Sequence, residues 1–499
     1  MVSKVRSLGL SGVGGIEVSI ECFLSNGLPA FELVGLPDAA VKESRDRVRA
    51  ALKNSGFEFP VRRITMNLAP ADIRKEGSVY DLPVMLCLLA ADGGIAQPPR
   101  DTAFIGELSL EGVLRPVSGV LPMALEAHKH GVKELFLPAD NAREASIVTG
   151  LNVYPAENVR QIVSHLSGKE RIAPAPAYVP GEPLRPPLDF TDVRGQDNVK
   201  RALEVAAAGG HNILLIGPPG AGKSMLARRL PSILPDLKWD ESLETTGIHS
   251  IVGLVGRDEP LITARPFRSP HHTISPGGLA GGGTVPRPGE MSLAHNGVLF
   301  LDEFPEFPRD ALEALRQPLE DGAVTLSRVA GTLSYPARFM LVCAMNPCRC
   351  GWYGHPSGRC TCSENSVTSY FGRISGPLLD RIDIQVEVPA VPYEDLVHSV
   401  PAECSRDIRE RVNAARGIQD ERAQGSDNAH LSPEKTREHC ALDEAGDKLM
   451  RGAFDRLGLT ARSHGRILRV ARTIADLNGA ASISTAHLAE ALQYRQLSK

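Results

Sequence analysis

The 499-residue sequence contains no run of about 18 uninterrupted apolar residues, so no membrane-spanning helix is expected. Its start, MVSKVRSLGLSGVGGIEV, carries a basic pair but breaks into glycine before a signal-peptide core can form. Both absences make the cytoplasm the expected compartment. An excess of positive charge is missing too. The formal net charge is -4, so any contact with nucleic acid must come from a local basic surface. Nine cysteines are too few for a disulfide framework, and a cytosolic chain keeps them reduced. Cys22, Cys87, Cys404 and Cys440 are scattered and Cys343 lies in an apolar run, whereas Cys348, Cys350, Cys360 and Cys362 crowd together. No internal repeat is visible.

What is present has the composition of a globular protein, and at this length it implies two or three domains. Residues 1–167 mix strand patterns, such as IEVSIECFL (16–24), with helical ones, such as AAVKESRDRVRAALKNSG (39–56). The proline-rich stretch 168–187 reads as a stiff linker. From 188 to about 390 buried strands alternate with helices, which predicts a parallel α/β sheet, and 391–499 turns helical and charged.

The sharpest motif is GPPGAGKS, comprising Gly217, Pro218, Pro219, Gly220, Ala221, Gly222, Lys223 and Ser224. It follows the short apolar run NILLI and precedes a helical pattern, the strand–loop–helix context that a phosphate-binding loop needs. Its glycines let backbone N–H groups turn onto phosphate oxygens. Lys223 is expected to reach the β- and γ-phosphates of ATP and Ser224 to ligate Mg²⁺. A glycine-rich turn that matches by accident is the plainer alternative, and the context argues against it. The run GVLFLDE (297–303) supplies the acidic partner: Asp302 for Mg²⁺ and Glu303 for the attacking water. An apolar run ending in two acids is also an ordinary strand end. RFMLVCAM closes on Asn346, either a residue that positions the lytic water or a turn-former before Pro347. Arg381 either pairs with Asp380 or Asp383 or serves as an arginine finger on a neighbour's nucleotide.

With these residues in place, 188–499 resembles the magnesium-chelatase-like branch of AAA+ ATPases. The stretches that carry the likeness are DFTDVRGQ (189–196), YPARFMLVCAMNP (335–347) and GPLLDRIDI (376–384). Over its whole length the chain resembles the ComM/YifB family, bacterial proteins linked to natural transformation and branch migration of DNA. The resemblance implies a homo-hexameric ring with ATP between subunits, Arg381 as the finger, and Arg466 as the second-sensor arginine with Arg462 competing. Spacing alone reads Arg462, Arg466, Arg469 and Arg472 as one solvated helix face. The resemblance also implies a pore loop in the long segment 249–292 and a β-hairpin at 323–335. In a ring, Arg268, His271, His272 and Arg328 would then contact single-stranded or branched DNA. A recombinase is a partner that this reading implies.

CRCGWYGHPSGRCTC (348–362) holds two C-x-C pairs, and four soft thiolates suit Zn²⁺, with His355 as a substitute ligand. Incidental reduced cysteines or a redox disulfide are the alternatives. Trp352 and Tyr353 are expected to pack on the knuckle, with base stacking as the other reading. Residues 75–140 resemble the Lon protease domain. Where that family places its serine and lysine stand Val79 or Tyr80, beside Ser78, and Leu121, so no peptidase dyad is expected.

The expected fold is therefore α/β: a P-loop AAA+ domain with a parallel sheet and helical lid, preceded by a Lon-like α+β domain. The expected function is an ATP-hydrolysing DNA motor, a branch-migration helicase acting in recombination. Two other loads stand beside it. One is metal insertion into a tetrapyrrole, against which stand the Lon-like domain and the cysteine cluster. The other is protein remodelling, which wants an aromatic–apolar pore tip where this chain offers Arg and His.

Overall fold

A computed structural model of the chain describes residues 2–181, 187–283, 286–328, 331–391, 402–423 and 425–495. The chain divides into two compact units, Met1–Glu182 with Trp239–Ile262, and Pro183–Lys238 with Thr263–Lys499. The class expected from the sequence is the one found, mixed α/β with a parallel sheet in the second unit.

The first unit is built on a seven-stranded mixed sheet. Its two longest strands, Val2–Ser11 and Gly14–Ser25, pair antiparallel, and alternation buries Val5, Val18 and Ile20 on one face. The helix Ala39–Asn54 starts where Asp38 accepts from the Val41 N–H at 2.7 Å. It buries Val41, Val48, Ala51 and Leu52, which recur at helical spacing. The helix Asp81–Asp92 is buried on every side, which explains its near-continuous apolar sequence. Its buried Asp81 is matched by Arg47, whose Nε donates at 2.6 Å and Nη2 at 3.0 Å. At the positions of the Lon-type dyad, Val79 and Tyr80 are buried and the Ser78 hydroxyl donates to Glu107. Leu121 is wholly buried, and its N–H donates to Glu144 Oε1 at 2.8 Å.

Two departures from the sequence reading concern this unit. The helix Trp239–Ile251, inside the stretch expected to be ATPase core, groups instead with the first unit. Leu243 and Leu261 join that unit's apolar core, and Ser250 donates to Glu144 while its carbonyl accepts from Gly119 N at 2.9 Å. The proline-rich stretch is not free along its whole length. Ala175 N donates to Val153 O at 2.7 Å and Tyr178 N to Ser146 O at 3.1 Å, so the segment covers an otherwise open sheet edge. The part of the linker at 182–186 lies outside the described residues.

The second unit has a five-stranded parallel sheet in the order Phe267–Arg268, Val298–Leu301, Met340–Met345, Ile213–Ile216, Ile384–Glu387. Strands buried on both faces need no polar alternation, hence ILLI, VLFL and MLVCAM. Period two deals their side chains to two cores. Ile213, Leu215, Phe300 and Val342 point to one, and Leu214, Leu299, Leu301 and Leu341 to the other. Helices from Ser405–Ala423 to Thr485–Gln493 join the first of these cores.

The arginines at 462, 466, 469 and 472 do not form the solvated face that their spacing suggested. Arg462 is exposed, but Arg472 is 2% exposed, pairs with Asp476 at 3.0 Å and donates to the carbonyls of Ala480 and Ala481. Arg469 donates to Ala429 O at 2.8 Å. The face turns inward because carbonyls both before the helix, at Ala429, and after it, at Ala480 and Ala481, satisfy guanidinium groups.

Candidate active site

The phosphate loop leaves the C-terminal end of Ile213–Ile216, and its glycines are required by geometry. A Cβ on Gly217 would stand 2.2 Å from Val388 O, and Gly222 adopts φ 88° immediately before the helix Lys223–Arg229. Lys223 is buried, and burial lowers its pKa from the ordinary lysine value. Its ammonium donates to Gly217 O at 2.6 Å, Pro218 O at 2.9 Å and Asn346 Oδ1 at 3.0 Å, which engages all three protons. Ser224 Oγ donates to Asp302 Oδ2 at 2.6 Å, and Asp302 Oδ1 accepts from Glu303 N at 2.9 Å. Thus Lys223, Ser224, Asp302, Glu303 and Asn346 converge from three adjacent strands. Gln196, the last residue of the DFTDVRGQ stretch, had no role assigned from the sequence; its Nε2 donates to Ala221 O at 2.7 Å and braces the loop. Its backbone is left-handed, φ 59°, which is uncommon for a residue with a Cβ.

Glu303 also holds a left-handed backbone, φ 52°, a strain of order 1–3 kcal/mol for a residue with a Cβ. Its carboxylate Oε2 lies 3.0 Å from His272 Nδ1, and the His272 ring lies 4.1 Å from that of His271. His271 is exposed. Arg268 is not the free loop cation anticipated from the sequence. It sits in a strand of the sheet, where Glu290 accepts from its Nε at 2.6 Å and Nη2 at 2.8 Å. The hairpin expected at 323–335 is formed by Ala323–Arg328 and Gly331–Pro336, and the side chain of Arg328 lies outside what is described.

Two further arginines lie at the opposite end of the sheet. Arg381 is buried and bonded to Glu320 and to Pro377 O at 2.7 Å, not to Asp380 or Asp383. Its carbonyl accepts from Asn212 Nδ2 at 3.0 Å, just before the phosphate-loop strand begins. Arg466 Nε is 3.7 Å from Asp383 Oδ1, and Asp383 Oδ2 is 3.4 Å from His211 Nδ1. Asp383 N donates to Asn212 O, so this cluster too marks the N-terminal edge. A four-residue strand spans roughly 13 Å, which separates both arginine sites from the loop at its other end.

Burial alone would raise the Asp383 pKa, but His211 and Arg466 outweigh it and hold the carboxyl down at about 2, from 3.8. A depressed carboxylate contributes stability above its unfolded value, and that stability is lost as pH falls through the folded one. Asp383→Asn is therefore expected to cost roughly 2 kcal/mol at neutral pH. The difference from the parent protein should vanish between about pH 4 and pH 2 in thermal melts, and a constant difference would refute the assignment.

The four clustered cysteines lie directly beyond Asn346. Cys348 Sγ is 3.3 Å from Cys350 Sγ and 3.9 Å from Cys360 Sγ, Cys350 and Cys360 are 3.6 Å apart, and Cys362 completes a group within 4.8 Å. Tetrahedral zinc with thiolates at about 2.3 Å requires sulfur separations of about 3.8 Å, so the donor set fits the ion. The Trp352 N–H and the Cys348 thiol help draw Cys350 down to about 6. His355 Nδ1 is instead engaged by Ser357, whose N–H donates to it at 3.1 Å. Trp352 packs between His355 and Arg359, whereas Tyr353 is exposed. A Cβ on Gly351 would stand 2.5 Å from Pro219, so the cluster's loop abuts the phosphate loop.

A parallel sheet in this order, with a phosphate loop, an acidic end on a neighbouring strand and a helical region behind, defines an AAA+ ATPase of the magnesium-chelatase type. Residues 189–396 match the family described as magnesium chelatase, subunit ChlI, residues 20–141 match subunit ChlI of Mg-chelatase, and 402–495 match the ChlI C-terminal family. The chain belongs to the ComM/YifB family. It is 46% identical to the competence protein ComM of Haemophilus influenzae over 99% of this chain and 97% of that one. It is 44% identical to YifB of Escherichia coli over 100% of this chain and 98% of that one. A weaker likeness, 22% identity over 34% of this chain, links it to the Lon protease of Brevibacillus choshinensis and covers 23% of that protein. The ATPase family implies ATP and Mg²⁺. No helix among the described residues is long and apolar enough to cross a membrane.

Proposed function

We propose that this protein is a ring-forming ATPase that translocates on DNA and drives branch migration during the recombination of incoming DNA. The observation that carries the ring is the placement of Arg381 and Arg466 at the edge of the sheet opposite the chain's own phosphate loop. Neither reaches that loop within one subunit, so each completes the nucleotide site of a neighbour in a closed homo-oligomer, a hexamer in this reading. Lys223 and the loop amides would hold the phosphates, and Ser224 and Asp302 would hold Mg²⁺, which would supply charge neutralisation there. Glu303 orients the attacking water, Asn346 fixes the γ-phosphate end, and a neighbour's Arg381, released from Glu320, faces the developing charge. Cys348, Cys350, Cys360 and Cys362 hold zinc. The Lon-like unit contributes assembly or DNA contact without peptidase chemistry.

DNA as the load is supported by the competence protein of Haemophilus influenzae, to which the chain is similar end to end. His271 and Arg287 are exposed in the segment before the acidic strand, and Arg328 closes the hairpin register opposite Gly331. The chelatase family descriptions favour a second reading, a tetrapyrrole-metallating motor. Steady-state ATPase rates with single-stranded, duplex and branched DNA, unfolded protein and protoporphyrin separate the readings. Stimulation several-fold by DNA is expected, and Arg328→Ala should reduce it. Stimulation by porphyrin or protein alone would overturn the DNA reading.

A further inference from the structure

The carboxylate of Asp383 faces more groups than it can bond. Its Oδ2 accepts from Asn212 N at 3.3 Å and lies 3.4 Å from His211 Nδ1, while its Oδ1 stands 3.7 Å from Arg466 Nε. That last separation is too long for a hydrogen bond. Elsewhere in this unit an arginine beside a carboxylate closes on it through two nitrogens. Arg268 does so on Glu290 at 2.6 and 2.8 Å, and Arg422 on Asp476 with both bonds at 2.8 Å. Arg466 does not, and a second guanidinium supplies the reason. Tyr494 O accepts from Gln385 N at 2.8 Å, on the strand that Asp383 leads into, and Arg495 follows directly. Burial draws the pKa of Arg466 and of Arg495 below the ordinary arginine value. Asp383 and Asp380 oppose that at both, and Arg495 adds its repulsion at Arg466. Both arginines are half-buried. Among the described residues, the buried Nη1 of Arg466 and the buried Nε and Nη2 of Arg495 have no hydrogen-bond partner. Unpaired buried donors are costly, and three in one place call for an acceptor that a single subunit does not supply.

We propose that Arg495 is a positioning residue for the nucleotide site shared between subunits: its charge competes for Asp383 and so keeps the Arg466 guanidinium unlocked for the phosphates that a neighbour holds. The proposal rests on the reading of the protein as a ring whose nucleotide sites lie between subunits. An arginine bonded through two nitrogens to its own carboxylate must break both bonds before it meets a phosphate. One that approaches at 3.7 Å through Nε alone keeps its outer nitrogens for phosphoryl oxygens, which suit its planar fork. Arg495 is itself held in place. Its N–H donates to Leu492 O at 3.1 Å, and the turn that carries it is tied to the sheet through Tyr494. Without Arg495, Arg466 is expected to close on Asp383 as Arg268 closes on Glu290.

The test is steady-state ATPase kinetics on the full chain, alone and in mixed rings. Arg495→Ala is expected to lower kcat about tenfold, while Kd for ATP stays within about twofold of the parent. Arg495→Lys keeps the charge and should retain most of the rate. In the Asp383→Asn background the amide no longer attracts Arg466, so adding Arg495→Ala should cost less than about twofold. Lys223→Ala supplies an intact sheet edge but a loop that does not hold ATP. Mixed in equal amounts with Arg495→Ala, it should raise turnover several-fold above the mean of the two alone, as it should with Arg466→Ala. Thermal melts check folding, and Arg495→Gln takes the place of the alanine variant if that one is poorly folded. A parental kcat for Arg495→Ala, or an equal loss with and without the Asp383 charge, would overturn the proposal. So would recovery in the mixture with Arg466→Ala but not with Arg495→Ala. If neither mixture recovers, the ring reading fails, and the comparison in the Asp383→Asn background still decides whether Arg495 acts through that carboxylate.

Discussion

Glu303→Gln is expected to bind ATP as tightly as the parent protein and to hydrolyse it about 100- to 1,000-fold more slowly. The amide keeps the size of the side chain and can keep its contact with His272, so the fold has no reason to change. What it loses is the anionic oxygen that orients and polarises water. Lysine 223 makes the contrasting case. Its three acceptors are two loop carbonyls and Asn346, so Lys223→Ala leaves a cavity inside the loop and removes the cation that meets the phosphates. The two variants should separate in a nucleotide-binding titration. Lys223→Ala weakens binding, whereas Glu303→Gln leaves Kd within about twofold and loses only turnover. A glutamine variant with near-parental kcat would remove Glu303 from the water-activating role.

Replacing Cys360 and Cys362 by serine should abolish one equivalent of tightly bound zinc and lower ATP turnover at least about tenfold. Structural zinc contributes on the order of 10 kcal/mol to the fold of the segment that holds it, so losing two of four thiolates releases residues 348–362. That segment begins two residues after Asn346, and its Gly351 stands against Pro219 of the phosphate loop. A shift of about 1 Å in a positioning group can cost roughly 100-fold in rate, so a displaced Asn346 or Pro219 would be felt in turnover. Elemental analysis and ATPase rates on the same preparations check both halves. Zinc-free parent protein with full activity would show that the cluster is not coupled to the site.

Legibility differed between these two features for a physical reason. The phosphate loop is a local device: glycines at 217, 220 and 222 and a lysine at 223 follow from the turn that the backbone must make, so spacing along the chain suffices to find it. The acidic strand end and Asn346 were equally visible, since buried parallel strands announce themselves as short apolar runs. The partners of Arg268, Arg381 and Arg466 were not visible. Glu290, Glu320 and Asp383 are set by packing between elements distant in sequence, and charge pairs carry no spacing rule outside helices. Nor could composition say that the helix Trp239–Ile251 groups with the first unit.

By itself, then, the sequence determined the α/β class, the nucleotide loop, its acidic partners and the four thiols, because each is a short stretch whose chemistry fits one local geometry. Only the tertiary structure decided that Arg381 and Arg466 stand at the far edge of the sheet, that Gly351 abuts Pro219, and that His272 meets Glu303. Those facts depend on strand order and register, which arise when distant segments bury their apolar faces together, and no single segment encodes them.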